Sequence, residues 1–179
     1  DSRNAVVKRL VGVLDLRNAL SQMNAAEALA VLASRSDDNR KAIVASSAID
    51  PLVRLLGDGR RVRAATPQES AAAALADLAR LSDSKKSIVD AGGVKPLIAM
   101  LSSDSIATQT HASGALWQLA ALGTNKALIA ESGAIGPLIT LLASPSIDAQ
   151  KFSAGALWHL ASIADNKTQM VTAGAIPLL

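Results

Sequence analysis

The sequence predicts an all-α solenoid of stacked units about 41 residues long, and three observations carry that prediction. The first is self-similarity: Leu29, Leu75, Leu116 and Leu157 align at intervals of 46, 41 and 41 residues. A second leucine series, Leu14, Leu56, Leu101 and Leu142, runs 15 residues ahead of the first, except that Leu56 precedes Leu75 by 19. Four extra residues therefore sit in the loop GDGRRVRAATPQES. The second observation is composition. Half of the 179 residues are apolar, almost all Ala, Leu, Ile or Val, and the aromatic residues are Trp117, Phe152 and Trp158. Small aliphatic side chains suit helices packed at close range, and Ala and Leu are strong helix formers. The third is punctuation, which cuts each unit into a short, a medium and a long helix.

The best-defined unit shows the order. NKALIAE opens after Thr124 or Asn125, either of which can cap it, and stops at Gly133, where glycine can take the left-handed conformation that ends a helix. A second helix opens near Pro137, a residue tolerated in a first turn, and runs through LITLLA until Ser144, Pro145 and Ser146 break it. The third, IDAQKFSAGALWHLASIA, places Ala149, Phe152, Ala156, Leu157, Leu160 and Ile163 on one face at spacings of three and four. No such unit can bury its apolar faces alone, so neighbours must stack. The boundaries read as a partial unit 1–38, complete units 39–83, 84–124 and 125–165, and a truncated unit 166–179. A missing initiator methionine and the apolar run AGAIPLL at the end lead us to expect a segment of a longer chain.

Beside the core face of the third helix runs a second stripe. Lys151, Gly155, Trp158, His159 and Ser162 fall at i, i+4, i+7, i+8 and i+11. Its counterparts are Thr110, Gly114, Trp117, Gln118 and Ala121, and before them Glu69, Ala73, Ala76, Asp77 and Arg80. The stripe varies between units while the core keeps its leucines, which is how a presented surface behaves. Small residues surround both indoles, leaving a shallow floor on which each either offers its face to a ligand or fills the seam between adjacent third helices. Packed helices lie about 8–10 Å apart and an extended chain rises about 3.3 Å per residue, so three ligand residues match one unit.

NKALIAESGAIGPLITLLASPSIDAQKFSAGALWHLASIAD, with its Asn-Lys start, its GAI-P-L turn and its AGALW-LA third helix, resembles an armadillo repeat. SKKSIVDAGGVKPLIAML repeats the pattern more loosely, and the resemblance covers the whole chain. It implies a right-handed α-solenoid of three-helix armadillo repeats whose third helices line a peptide groove, often with an Asn holding the peptide backbone. The matching positions here are Asp77, Gln118 and His159. Importin-like repeats carry a Trp one turn earlier, where this chain has Ala73, Gly114 and Gly155, so its indoles are displaced along the stripe and differ from a reader of nuclear localisation signals.

Several function classes are excluded or disfavoured. A net charge of +3 with scattered basic residues does not support non-specific nucleic-acid binding. Arg60, Arg61 and Arg63 cluster in one loop, read either as a solvated turn or as an edge patch for an acidic partner. Without cysteine there is no disulfide framework, thiolate metal site or cysteine nucleophile, and the expected location is cytosol or nucleus. No apolar run is long enough to span a bilayer as a helix. Phosphate-loop, dinucleotide and zinc-ligand spacings are missing, so neither cofactor nor metal nor small-molecule substrate is expected. His111 aligns with Phe152 and reads as a packing residue, while His159 lacks a carboxylate partner on its own helix. Asn166, Lys167 and Thr168 form a sequon that doubles as the start of a unit. The reading is a non-catalytic scaffold binding extended peptides. The alternatives are a structural subunit packing by its solenoid surface and the substrate-recognition region of a multidomain enzyme such as a ubiquitin ligase.

Overall fold

The computed structural model describes residues 2–57, 59 and 66–174; Arg60, Arg61 and Arg63 lie outside the described residues. Among these, twelve α-helices and two 3-10 turns carry the chain, with no strand. They are α1 (Ser2–Leu14), α2 (Ala19–Arg35), α3 (Asp37–Ala45), α4 (Ile49–Leu56), α5 (Pro67–Leu78) and α6 (Ser82–Asp90). There follow α7 (Val94–Met100), α8 (Ile106–Ala120), α9 (Lys126–Glu131), α10 (Ile135–Thr140), α11 (Ile147–Leu160) and α12 (Ala164–Thr172). No single helix among the described residues is long and apolar enough to cross a membrane.

The third helices start where the sequence supplies a cap. Asn18, Thr66, Ser105 and Ser146 each precede a long helix in extended backbone, and each side chain accepts from the N–H three residues on. Pro67 follows Thr66 as the first helical residue, where its missing N–H costs nothing. The turn from short to medium helix needs one residue in the left-handed region. Gly92 and Gly133 fill that place at φ 85° and 88°, and Ser47 takes it at φ 58° in the first such turn.

The long helices α2, α5, α8 and α11 pack side by side as one layer, and α4, α7 and α10 back onto α5, α8 and α11. Between the layers runs one continuous core in which Leu29, Leu75 and Leu116 are fully buried and Leu157 nearly so. Polar ties cross from one long helix to the next. The Glu69 carboxylate on α5 accepts from the hydroxyls of Ser105 at 2.7 Å and Thr108 at 2.6 Å. One unit later, Thr110 and Ser146 hydroxyls meet at 3.1 Å. These bonds fix the register of the ladder.

Three details depart from the sequence reading. Three of the short helices open two residues earlier than the drawn unit boundary, at Asp37, Ser82 and Ala164, and the fourth, α9, is preceded by a 3-10 turn that opens at Gly123. Nor does the Asn125 side chain cap its helix. Its buried carboxamide donates instead to the Leu119 carbonyl at 3.1 Å, behind the end of α8, and to the Lys85 carbonyl at 3.5 Å in the unit before. Asn39 and Asn166 repeat this latch on Leu32 and Leu160 at 2.9 and 3.0 Å. Lastly, Leu142 is 38% exposed and Leu141 takes the core, because a 3-10 turn over Leu141–Ala143 rotates the leucines as α10 ends.

Candidate functional site

The stripe residues of α5 and α8 meet across a cleft of ≈ 420 Å³ in the long-helix layer. Asp77 enters from α5 and Arg80 from the turn that follows it, Thr110, Gly114, Trp117 and Gln118 from α8, and Phe152 from α11. A smaller cleft of ≈ 240 Å³ lies between α2 and α5, lined by Met23, Glu27 and Glu69. The two share Ala73 and His111 as their common wall, so they lie end to end across the ladder.

Glycine makes the cleft possible. The Phe152 ring lies over Gly114, where an added Cβ would sit 3.2 Å from Cδ2. The Trp117 indole lies over Gly155 of the following long helix, where an added Cβ would come within 2.6 Å of Nε1. Trp117 and Phe152 then stack with ring centroids 5.4 Å apart and planes 21° apart. Trp117 is thus seam and wall at once: it closes the α8–α11 contact and turns one face to the cleft.

Trp158 behaves differently. No further long helix follows α11 among the described residues, and the indole is 73% exposed, touching His159 with ring centroids 4.8 Å apart. Lys151 pairs with Asp148 at 2.7 Å and lies 4.7 Å from the Phe152 ring centre. Ser162 is exposed and accepts from Lys126 Nζ at 2.8 Å. Lys151, Trp158, His159 and Ser162 therefore stand outside the cleft on the next step of the ladder, and Gly155 is covered.

The two indoles should separate in solution. Trp117→Phe leaves a tryptophan readily quenched by acrylamide, whereas Trp158→Phe leaves one that is shielded. Equal quenching in the two variants would mean that the stack on Phe152 is not held.

His111 and Phe152 correct the sequence reading, which placed both on the core face. Both are half-buried and line the cleft. Their spacing could have revealed it: Phe152 stands three residues before Gly155 and seven before His159, on the same stripe.

The electrostatics are mixed. Burial raises the Asp77 carboxyl above its ordinary range, although Arg80, 3.7 Å away, pulls it down. Burial also lowers the His111 imidazole, with Glu69 and Asp77 opposing. Neutral imidazole at neutral pH offers one donor and one acceptor to a ligand. Among the described residues no group of three His, Asp or Glu side chains could hold a metal ion.

The model of the Armadillo/beta-catenin-like repeat matches residues 82–121 and 124–162. Each stretch spans one short, medium and long helix and ends just past α8 or α11. No curated protein matches the chain in sequence. Among solved structures, an engineered protein is 34% identical, with a TM-score of 0.83 over 94% of this chain and 68% of that one. A designed armadillo repeat protein in complex with the peptide (KR)4 is 26% identical, with a TM-score of 0.83 over 97% of this chain and 72% of its own. Computationally designed armadillo repeat proteins for modular peptide recognition give 26% identity and a TM-score of 0.85 over the same shares, 97% and 72%. The architecture is that of a right-handed α-solenoid.

Proposed function

The chain belongs to the armadillo repeat family, and from that premise we propose that it is a non-catalytic scaffold that binds an extended peptide across α5, α8 and α11. The observation that carries the reading is the cleft walled by the Trp117–Phe152 stack and floored by Gly114, with Asp77, Thr110 and Gln118 at its margins. Such a site combines a flat apolar wall for a side chain with a carboxamide that can both donate to and accept from a peptide backbone. The cleft has room for one large aliphatic or aromatic side chain per crossing, so affinity accumulates over successive steps. Two designed relatives support the reading by what their names state, one being solved with a peptide and the other made for peptide recognition.

A display screen of random extended peptides tests it. Selected peptides should lose about tenfold in affinity on Trp117→Ala, the range of an aromatic anchor, and less on Gln118→Ala. Lys95→Ala, an exposed change on α7 away from the cleft, should leave binding unchanged. Peptides that respond to Lys95→Ala and ignore Trp117→Ala would place the binding surface elsewhere.

A further inference from the structure

The cations of this chain are not equally provided for. Arg40, Arg54, Arg80, Lys86 and Lys151 each reach a carboxylate, Asp37, Asp15, Asp77, Asp90 and Asp148 respectively. Among the described lysines and arginines, Lys85 and Lys126 alone are half-buried with no carboxylate partner. They hold the same position in consecutive repeats, directly after the latch position. Asn125, the residue before Lys126, donates to the Lys85 carbonyl at 3.5 Å, so the two lysines start from adjoining backbone. Lys126 Nζ reaches Ser162 at the end of α11. Its counterpart Lys85 stands at the end of α8, where the matching residue, Ala121, offers no hydroxyl.

The Lys126 ammonium lies on the stripe, at Ser162; burial first, and then the charges of Lys126 and Lys85, hold the His159 imidazole below its ordinary range. The negative end of each long helix favours a cation there. It does not satisfy the ammonium's three donors, and Lys85, partly desolvated, has no carboxylate to receive them among the described residues. Arg40, at the same place in the first complete repeat, bonds the Ala33 carbonyl and Asp37 instead. The rim past Gln118 and His159 is thus a short row of cations awaiting anions.

We propose that the segment bound in the groove is acidic, with Asp or Glu side chains at every third residue meeting Lys85 and Lys126 in turn. The inference rests on the groove-binding reading above. Its period follows from geometry: packed long helices are about 8–10 Å apart, and an extended left-handed helix of three residues per turn, rising about 3.1 Å each, returns a side chain to the same rim every three residues. Between the acidic residues, apolar ones face the Trp117–Phe152 wall.

The test uses three fluorescein-labelled peptides of four Glu-Leu-Ser, Gln-Leu-Ser or Lys-Leu-Ser triplets, followed by anisotropy at low and raised salt. The Glu peptide should bind about tenfold tighter than the Gln peptide, and the Lys peptide weakest of all. Lys85→Gln and Lys126→Gln should each remove a large part of the Glu preference, flatten its salt dependence and leave the Gln peptide unaffected, with circular dichroism unchanged. Equal affinity for Glu and Gln peptides, or a preference that survives both lysine changes, overturns the proposal. If Trp117→Ala then still releases the Gln peptide, the groove reading stands and the acidic ligand alone fails. Binding by none of the three overturns both.

Discussion

Asn125→Ala is expected to lower stability by about 2 kcal/mol, a large effect for a single polar side chain in a chain this size. The carboxamide is only 3% exposed and joins three helices, donating to the Leu119 carbonyl at the end of α8 and the Lys85 carbonyl in α6 while standing at the head of α9. Removing it empties a buried volume and deprives the Leu119 carbonyl of its side-chain partner, leaving it the backbone bond from the Leu122 N–H at 3.2 Å. The surviving bond keeps the cost below that of a wholly orphaned group. Thermal unfolding followed by circular dichroism should fall by about 2–4 °C for each kcal/mol lost. The second repeat supplies the converse. Ser84 occupies the latch position, fully buried, and its hydroxyl has no hydrogen-bond partner. Ser84→Asn should restore the bond to Leu78, the counterpart of Leu119, and gain about 1 kcal/mol. If Ser84→Asn destabilises as much as Asn125→Ala, the amide is not what latches the repeats.

How far the fold was legible follows from what each residue depends on. The leucines at 29, 75, 116 and 157 could be read because helix periodicity and a fixed repeat both point to the same face, and all four are buried. Ser146 is the last of the breaks that the sequence marked, and the capping bond it accepts from the Ala149 N–H depends only on its own helix. Asn125, one of two candidate caps with Thr124 by local capping rules, does not cap because its side-chain partner is a carbonyl six residues back across a turn. Phe152 was placed in the core because it is spaced by three and four from the apolar residues of its helix, yet Gly114 of the preceding repeat makes a bed for it on the groove side. The tryptophans show the limit most clearly. ALWQLA and ALWHLA are near copies, but Trp117 lies under the cover of α11 and Trp158 does not, a difference set by the neighbour and not by the local sequence.

The same cover makes Gly155 the position where one added side chain should act most sharply on the site. Glycine within a helix ordinarily costs about 1 kcal/mol relative to alanine, so replacing it ought to help. Gly136 meets that expectation: it lies inside α10 with no atom within 4 Å of an added Cβ, and Gly136→Ala should stabilise by up to about 1 kcal/mol. At Gly155 a Cβ would fall 2.6, 2.8 and 3.0 Å from Nε1, Cδ1 and Cε2 of Trp117. The indole cannot yield by a few tenths of an ångström, because its other side is stacked on Phe152. It must swing out, giving up the stack, about 0.5–1.5 kcal/mol, together with its apolar burial. For Gly155→Ala the helix gain offsets much of that loss. For Gly155→Val, larger and β-branched, the balance falls to a net loss of about 2–3 kcal/mol. In a Trp158→Phe background the remaining emission should shift to the red and become readily quenched, and any peptide anchored on the Trp117 face should be released. A Gly155→Val protein with unchanged emission and stability would show that Trp117 does not rest on this glycine, and the wall of the cleft would have to be sought elsewhere.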